Sequence, residues 1–578
     1  MTEPNRTIEE LRKRCVAQAG QITAQEHEIA AREREIAARE REIAVLETEI
    51  RLMREKHNLA ILRQFGRSSE QSPAGQEAFV FNEAETFCDP TLPEPTVEEV
   101  VKQHTRRKPG QRQEKVANLE TRDMEYPATE EQQICACCGE QMHFVEWQVR
   151  QDVEYIPAKA VLVNHKQPTY ACRGCQESGE PAPIRTIKTM PEPAFPKSLA
   201  SPSLVSHIIT QKFVMGAPVY RLEHNMEGLG IHFSRQTMCN WIVRAATLVR
   251  PIYDRMHQEL LTRDIIHADE TSVQVLREPG RAATTDSTMW LYRTGRDGPV
   301  IGASAGCASP TGPIILFDYQ MTRAGKHARD FLTGFGGYDP ETNTITQIKF
   351  MNVDGYDGYN VVPTTALIDG RKQADVLLAG CWAHARRKFF EASAIVKPKD
   401  RKSSKRIVAD EGLKLCDELY GLERDFRDMT AEERHAARNN HSAAKLSEIK
   451  EWLDKNVLDV THKGPTGMAI AYTLSQWTKL NTFLLDGRIE IDNNRAERSI
   501  KPFVIGRKNW LFANTPTGAV SSATLYSVIE TAKENKLIPF EYVKYLLERL
   551  PNIDTQDPEA LNALLPWSTE LPDRCRKP

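Results

Sequence analysis

The first regular pattern along the chain is a spacing of seven between isoleucines over residues 27–54. The run HEIAARE-REIAARE-REIAVLE-TEIRLMR places four of them on one helical stripe: Ile29, Ile36, Ile43 and Ile50. This predicts a long helix within residues 1–66, forming a coiled coil that pairs two copies of the chain. The Glu–Arg pairs of the same run would also support a solvated single helix, so both interpretations stay open.

Residues 67–125 are polar and contain prolines, and they cannot pack a core. They include a basic cluster around Pro109-Gly110, from which we predict DNA contacts at Arg106, Arg107 and Lys108. Such an arm can lie along phosphates or in a minor groove, although a charged linker would have the same composition.

Residues 126–190 contain two C-x2-C motifs separated by alternating, strand-like runs. Four thiolates at this spacing are typical of a structural zinc ribbon, with Cys135, Cys138, Cys172 and Cys175 as the ligands. Cys137 could replace Cys138. Four protein ligands leave no open coordination position for chemistry.

Helical periodicity dominates residues 191–260, where VYRLEHNMEGLG and SRQTMCNWIVRAA predict two helices joined by a tight turn. Ser234 is the expected N-cap of the second helix. Its exposed face would carry Arg235 and Gln236, which suit bases or phosphates. A plain helical hairpin is the alternative to a DNA-reading helix-turn-helix.

The pattern changes to short β runs over residues 261–396. Three strands (IIHADETSVQVL, TMWLYRTG, PIILFDY), a helix (HARDFLTGF), a fourth strand (ITQIKFMNV), a fifth (LAGCW) and a helix (AHARRKFFEASAI) follow one another. This order predicts a ribonuclease-H-like α/β core. Residues 397–482 are polar and helical and would be an insertion. Residues 483–550 would complete the core, and residues 551–578 would form a C-terminal tail.

The predicted fold class is therefore a multidomain α+β protein with a coiled coil, a zinc ribbon, a helical DNA-binding domain and an interrupted catalytic core.

At 578 residues with 40% hydrophobic content the chain can bury several cores. Its net charge of −3 is close to neutral, so only clustered basic residues indicate nucleic acid. Scattered cysteines, no signal peptide and no apolar run that could span a bilayer predict a soluble, cytoplasmic protein without a membrane partner.

Three acidic residues on these elements predict the chemistry. Asp269 lies on the first strand, Asp354 ends the fourth, and Glu497 opens a helix. Three carboxylates converging from distant points can hold two divalent metal ions for attack on a phosphodiester. Taken alone, each of these residues would ordinarily be a capping or solvated carboxylate. Asp357 is the nearest alternative to Asp354 as a metal ligand, and Asp492 is the nearest alternative to Glu497. Glu270 should point to the opposite face of its strand from Asp269.

Basic and aromatic residues surround these acids. His384 and Arg387 follow the fifth strand and could contact the scissile DNA or orient a carboxylate. The remaining predicted DNA contacts are Arg498, Lys501, Arg507, Lys508 and Trp510.

Six motifs together resemble the transposases of the insertion-sequence-66 family: FGRSSE, the paired CxxC ribbon, HADET, VDGYDGY, GCWAHARRKF and NNRAERSIKPFVIGRKNWLF. The resemblance covers roughly Leu46 to Leu547. It implies a bacterial, nucleoid-associated DDE transposase that cuts terminal inverted repeats and joins the freed 3′ ends to target DNA. It further implies Asp269, Asp354 and Glu497 as the triad, magnesium (for which manganese can substitute) as the cofactor, and two small accessory proteins. A nuclease that does not join DNA, and a catalytically silent DNA-binding regulator, are the alternatives.

Overall fold

The computed structural model describes residues 161–165, 169–170, 185–186, 190–230, 232–295, 312–368, 371–395 and 407–577, with isolated positions between Arg14 and Met53. Those isolated positions are helical, with an exposed Arg32–Glu28 ion pair at 2.8 Å. Pairing of two helices remains a prediction. The basic arm and the four zinc-ribbon cysteines lie outside the described residues.

A five-stranded mixed sheet organises the described part of the chain. Its strands are β1 (Ile265–Gln274), β2 (Asp286–Thr294), β3 (Ile315–Gln320), β4 (Lys349–Asn352) and β5 (Val376–Ala379). The spatial order is β5-β4-β1-β2-β3. β2 runs antiparallel to both β1 and β3, whereas β4 is parallel to both β1 and β5. The five strands expected from the sequence therefore form one sheet with β1 at its centre.

Helices pack against this sheet in one buried cluster, and β2 is buried more continuously than β1 or β3. β2 is buried at every residue after Asp286 instead of alternating between buried and exposed positions. The outer strand β3 donates its Ile315 and Phe317 amides to Thr531 Oγ1 at 3.0 Å and Ser527 Oγ at 2.7 Å. Hydroxyl groups of a covering helix thus satisfy an edge that would otherwise be open.

Two strand predictions need correction. The run predicted as one fourth strand is divided: Thr344–Ile345 pairs with Tyr338–Asp339 in a separate hairpin, and only Lys349–Asn352 joins the sheet. The fifth strand ends at Ala379, and its predicted last residue, Trp382, begins the next helix. A further hairpin pairs Thr365–Ile368 with Arg371–Ala374.

Four helices precede the sheet: α1 (Pro202–Phe213), α2 (Val219–Gly228), α3 (Arg235–Leu248) and α4 (Arg250–Leu261). Ser234 caps α3 as predicted, because its side chain accepts the Thr237 amide at 3.2 Å. The apolar faces of these helices belong to the same buried cluster as the sheet. The segment predicted as a separate helical domain therefore shares its core with the sheet.

Helix α5 (Lys326–Phe331) follows β3, and α6 (Trp382–Ala394) follows β5. The predicted insertion is helical, and its helices are α7 (Val408–Asp425), α8 (Ala431–Ala437), α9 (Ala443–Asn456), α10 (Pro465–Ser475) and α11 (Trp477–Asn481). They form a second apolar cluster with α6. Arg438 is buried there and binds Glu423 through two hydrogen bonds of 2.8 and 2.7 Å.

The chain returns to the sheet through α12 (Asn494–Trp510) and then α13 (Pro516–Glu534), α14 (Pro539–Arg549) and α15 (Pro558–Asn562). The segment predicted as a tail is packed, since Leu564, Leu565 and Cys575 are buried in the main cluster. Within the described residues, no helix combines the length and apolar character needed to cross a membrane.

Candidate functional site

One face of strand β1 is covered by helix α12, and Asp269 lies on that face. His267 and Thr271, two residues to either side of Asp269, both contact this part of the chain: His267 Nδ1 lies 3.0 Å from Asn493 Oδ1, and Arg507 donates to Thr271 Oγ1 at 3.1 Å. Because side chains of a strand alternate, Asp269 faces the same helix between these two contacts.

Asp354 is brought to the same place by strand register. β1 and β4 are parallel, and His267 pairs with Asn352. Asp269 and Asp354 each lie two residues beyond that pair, Asp269 still on β1 and Asp354 just after the end of β4. The Asp354 carboxylate also accepts the Tyr356 amide at 2.9 Å, which holds the turn after β4. A Cβ on the intervening Gly355 would lie 2.7 Å from the Tyr472 ring, so the turn packs closely against the insertion.

Glu497 belongs to the first turn of α12. Its Oε1 atom lies 3.7 Å from His384 Nδ1, and its Oε2 atom lies 3.6 Å from the Arg387 guanidinium. His384 and Arg387 are both on α6, so the helix after β5 places one guanidinium and one imidazole beside the third acid. Burial lowers the pKa of the His384 imidazole. The expectation that these residues orient a carboxylate is consistent with the geometry, and a DNA contact by either remains a prediction.

The three acids influence one another electrostatically. Burial raises the pKa of Asp269 well above its usual value, and the charges of Glu270, Asp354 and Glu497 add to that rise. A buried group of carboxylates is stabilised by a bound cation, which neutralises the repulsion that otherwise favours protonation. The oxygen donors of Asp269, Asp354 and Glu497 therefore suit a hard divalent ion.

Cys381, His384 and Glu497 form a second donor set that shares Glu497 with the triad. Among the residues that the structure describes, their ligand atoms lie within 4.8 Å of one another. His384 Nδ1 and Glu497 Oε1 are both buried without a hydrogen-bond partner. Buried polar atoms are nearly always paired, so two adjacent unpaired atoms indicate a place for a ligand.

Glu270 is the main site feature that the sequence did not predict. Its carboxylate is almost fully buried and accepts hydrogen bonds from Arg323 and from the Tyr359 hydroxyl. Arg323 in turn lies over the Tyr356 ring, with its guanidinium 4.0 Å from the ring centroid. Burial, and then the charge of Asp354, raise the pKa of Glu270. The cluster therefore links β1 to the loop that carries Asp354.

Only the alternation of strand side chains was available to place Glu270 from sequence, and it predicted the face but not the partners. Arg323 and Tyr359 lie 53 and 89 residues away. The tyrosines of VDGYDGY were the available signal, since a tyrosine hydroxyl can satisfy a buried carboxylate within a side-chain hydrogen-bond network.

Asp357 and Asp492, the alternatives to Asp354 and Glu497, lie in different surroundings from the three candidate acids. Asp357 is exposed and accepts a hydrogen bond from Asn360 at 3.3 Å. Asp492 accepts the Asn494 amide at 3.1 Å and the Tyr420 hydroxyl at 3.1 Å, and burial raises its pKa to about 6. Asp492 thus supports the start of α12, while the N-cap residue Asn493 makes no capping hydrogen bond with its side chain.

The predicted DNA contacts on α12 divide into two groups. Arg498, Lys501 and Lys508 are exposed and could reach phosphates. Arg507 instead binds hydroxyl groups of β1, and Trp510 is half-buried edge-on to Phe503, with ring centroids 5.5 Å apart. Stacking of Trp510 on a base remains a prediction.

On α3, Arg235 and Gln236 are exposed as expected. Arg235 forms an ion pair with Glu223 at 2.8 Å, and Gln236 donates to Asn240 at 3.0 Å. A DNA phosphate would therefore have to compete with Glu223 for the Arg235 guanidinium. The role of this face in DNA recognition stays a prediction.

The fold and site define a class: a helix-rich α/β protein with a cluster of acids where β1 meets the end of β4, and with basic residues beside it. The chain belongs to the IS66 transposase family. The model described as "Transposase IS66 family" matches residues 197–521, the IS66 C-terminal element matches residues 527–567, and the zinc-finger binding domain of transposase IS66 matches residues 132–176. The last range includes all four predicted zinc ligands, so zinc binding by this region is supported.

Proteins of Sinorhizobium fredii (strain NBRC 101917 / NGR234) are similar over most of the chain. The protein named "Uncharacterized protein y4jD" is 32% identical over 441 residues, which cover 76% of this chain and 78% of that protein. "Uncharacterized protein y4hP" is 28% identical, covering 75% of this chain and 73% of that protein. Family membership supports a transposase role with DNA as the partner.

Proposed function

We propose that this protein is a DDE transposase with a ribonuclease-H-like core, which cleaves DNA at terminal inverted repeats and transfers the freed 3′ ends to target DNA. The observation that carries the proposal is the convergence of Asp269, Asp354 and Glu497 from β1, the end of β4 and the start of α12. The sheet order β5-β4-β1-β2-β3, in which β2 alone runs opposite to the other four strands, supports the proposed core.

Asp269 and Asp354 would hold two magnesium ions between them, and Glu497 would hold one of the two. Bound magnesium supplies an activated water or 3′-hydroxyl and stabilises the leaving oxygen. The protein itself has little covalent chemistry to perform, so its contribution is positioning and charge. The Arg387 guanidinium, 3.6 Å from Glu497 Oε2, would keep that carboxylate directed into the site.

Phosphate binding would come from the exposed cations around this centre. Arg387 lies beside Glu497, and Arg498 and Lys501 follow it on the exposed side of α12. The insertion also reaches the site through Lys479. Burial lowers the pKa of Lys479, and the nearby charges of Asp357 and Asp354 act in the opposite direction. We propose further that two copies act together through the N-terminal helix, that four cysteines hold structural zinc, and that two accessory proteins assist.

The test is a reaction of the purified protein with labelled terminal-repeat DNA, a target plasmid and magnesium. Wild type should give both 3′-end cleavage and strand transfer, and Glu497→Gln should give neither, while still binding the DNA. Asp357→Asn is the matched control, because it neutralises an exposed acid near Asp354, and it should retain both products.

Other outcomes would support other functions. Cleavage without joining would support the nuclease. DNA binding without cleavage would support the silent regulator, provided that adding the two accessory proteins does not restore cleavage. Equal activity of wild type and Glu497→Gln would exclude Glu497 from the triad.

A further inference from the structure

We propose that His384 is a direct metal ligand beside Glu497, so that one of the two ions in this site has a nitrogen donor and the site prefers manganese to magnesium. This rests on the proposed function for the role of Glu497. It adds a ligand, and a metal preference, that three carboxylates alone would not predict.

The first step of the argument is the failure of His384 and Glu497 to pair with each other. Their nearest atoms, Nδ1 and Oε1, are 3.7 Å apart, which is too long for a hydrogen bond. Both atoms are nevertheless buried, and neither has another partner. A cation between the two atoms would satisfy both, and their separation suits two ligands of one ion, which lie about 2.0–2.2 Å from it.

The second step is that the two residues are held in place by separate helices. His384 lies in the first turn of α6, where its amide donates to the Cys381 carbonyl at 3.2 Å. Glu497 lies in the first turn of α12, and Asn493, which precedes that helix, donates its backbone amide to Cys381 Sγ at 3.2 Å. Cys381 therefore joins the two helix starts and places a sulfur atom within 4.8 Å of both other donor atoms.

The third step concerns ion preference. Magnesium favours oxygen ligands and an octahedral water shell, whereas imidazole nitrogen suits later divalent ions. A site with the acids on one side and His384 on the other would bind manganese more tightly than magnesium. Zinc or cadmium would also bind, because Cys381 adds a soft donor, and either ion would compete with the working metal.

The cluster is not explained by an ordinary structural role for His384. A histidine that only orients a carboxylate donates a hydrogen bond to it at about 2.7–2.9 Å when charged. Here Arg387, 3.6 Å from the other oxygen of Glu497, already supplies a cation on that side. His384 therefore retains a free nitrogen directed at the shared carboxylate.

The test is electron spin-echo spectroscopy of manganese bound to the full-length protein that holds one zinc ion per chain, with any further zinc removed beforehand. The method detects nitrogen coupled to manganese without any need for activity. We expect a directly coordinated nitrogen in wild type that disappears in His384→Gln. His224→Gln is the matched control, since His224 is exposed and paired with Glu227 on α2, and it should retain the signal.

Titration of the same variants gives the second measurement. His384→Gln should weaken manganese binding about tenfold or more and magnesium binding about threefold or less, at an unchanged melting temperature. A nitrogen signal that persists in His384→Gln, or equal weakening for both metals, would overturn the proposal. The triad assignment is tested separately: strand transfer by Glu497→Gln would contradict the proposed function without bearing on the nitrogen signal.

Discussion

Asn493 binds the strand of Asp269 at two points through one side chain. Its amide nitrogen donates to the Ala268 carbonyl at 2.7 Å, and its oxygen lies 3.0 Å from His267 Nδ1. Since that amide oxygen can only accept, His267 carries its proton on Nδ1. Asn493 immediately precedes α12, so the buried amide sets the position of Glu497 relative to Asp269.

Replacing Asn493 should therefore impair catalysis more than DNA binding. Asn493→Ala leaves His267 and the Ala268 carbonyl unpaired, and we expect a loss of about 2–4 kcal/mol in the free energy of unfolding. A shift of α12 by about 1 Å should lower the cleavage rate on the order of 100-fold. Single-turnover cleavage and thermal unfolding measure the two effects. Asn440→Ala, at an exposed position of the insertion, should change neither. An unchanged cleavage rate in Asn493→Ala would contradict the positioning role.

Glu270 should act as a positioning residue for the Asp354 loop. Glu270→Ala removes the partner of both Arg323 and Tyr359, whereas Glu270→Gln can still accept from Tyr359. We expect cleavage to fall about 100-fold in the alanine variant and about tenfold in the glutamine variant, because a displaced loop misplaces Asp354. The magnesium dependence of the rate is the discriminating measurement.

A positioning role predicts that the magnesium concentration giving half-maximal rate rises in Glu270→Ala and is partly restored in Glu270→Gln. Equal losses in both variants, with an unchanged magnesium requirement, would indicate a general loss of stability instead.

Asp318 should make the protein less stable as pH rises. Burial raises its pKa to about 6 from 3.8, and Gln320 and Arg250 only partly oppose this. The folded state therefore holds the proton more tightly than the unfolded state, and stability falls between about pH 4 and 6 and stays lower above that window. Asp318→Asn should add about 1–3 kcal/mol at pH 7.5 and almost nothing at pH 4.

Chemical denaturation at the two pH values measures this difference for Asp318→Asn. Asp425→Asn, at an exposed position at the end of α7, is the control and should be neutral at both. A gain for Asp318→Asn that is equal at pH 4 and pH 7.5 would argue against ionisation as its cause.

The exposed cations of α12 should add to DNA affinity by binding phosphates. Removing one phosphate-binding cation should reduce the slope of log affinity against log salt by about 0.9, so the triple alanine variant of Arg498, Lys501 and Lys508 should lower it by about 2.7. Fluorescence anisotropy over a salt series measures this slope. Lys414→Ala, exposed on α7, should leave it unchanged, and an unaltered slope in the triple variant would place the DNA elsewhere.

The order of the core elements and the identity of the candidate acids could be predicted from the sequence by itself. Strand runs, helix periodicity and turn residues are local signals, and they indicated β1 to β5, α6 and the Ser234 cap. The zinc-ribbon spacing is also local, and the matching family model agrees with it. The triad assignment remains a proposal that the convergence of Asp269, Asp354 and Glu497 supports.

Only the tertiary structure decided which side chains meet. Asn493 contacts residues more than 220 positions away, Glu270 meets Tyr359 across 89, and His384 faces Glu497 across the whole insertion. The tertiary structure also decided which segments share a core, since the helices before β1 and the C-terminal segment are buried together with the sheet. Sequence patterns report the period of each segment, whereas these contacts depend on how distant segments pack, which no local period encodes.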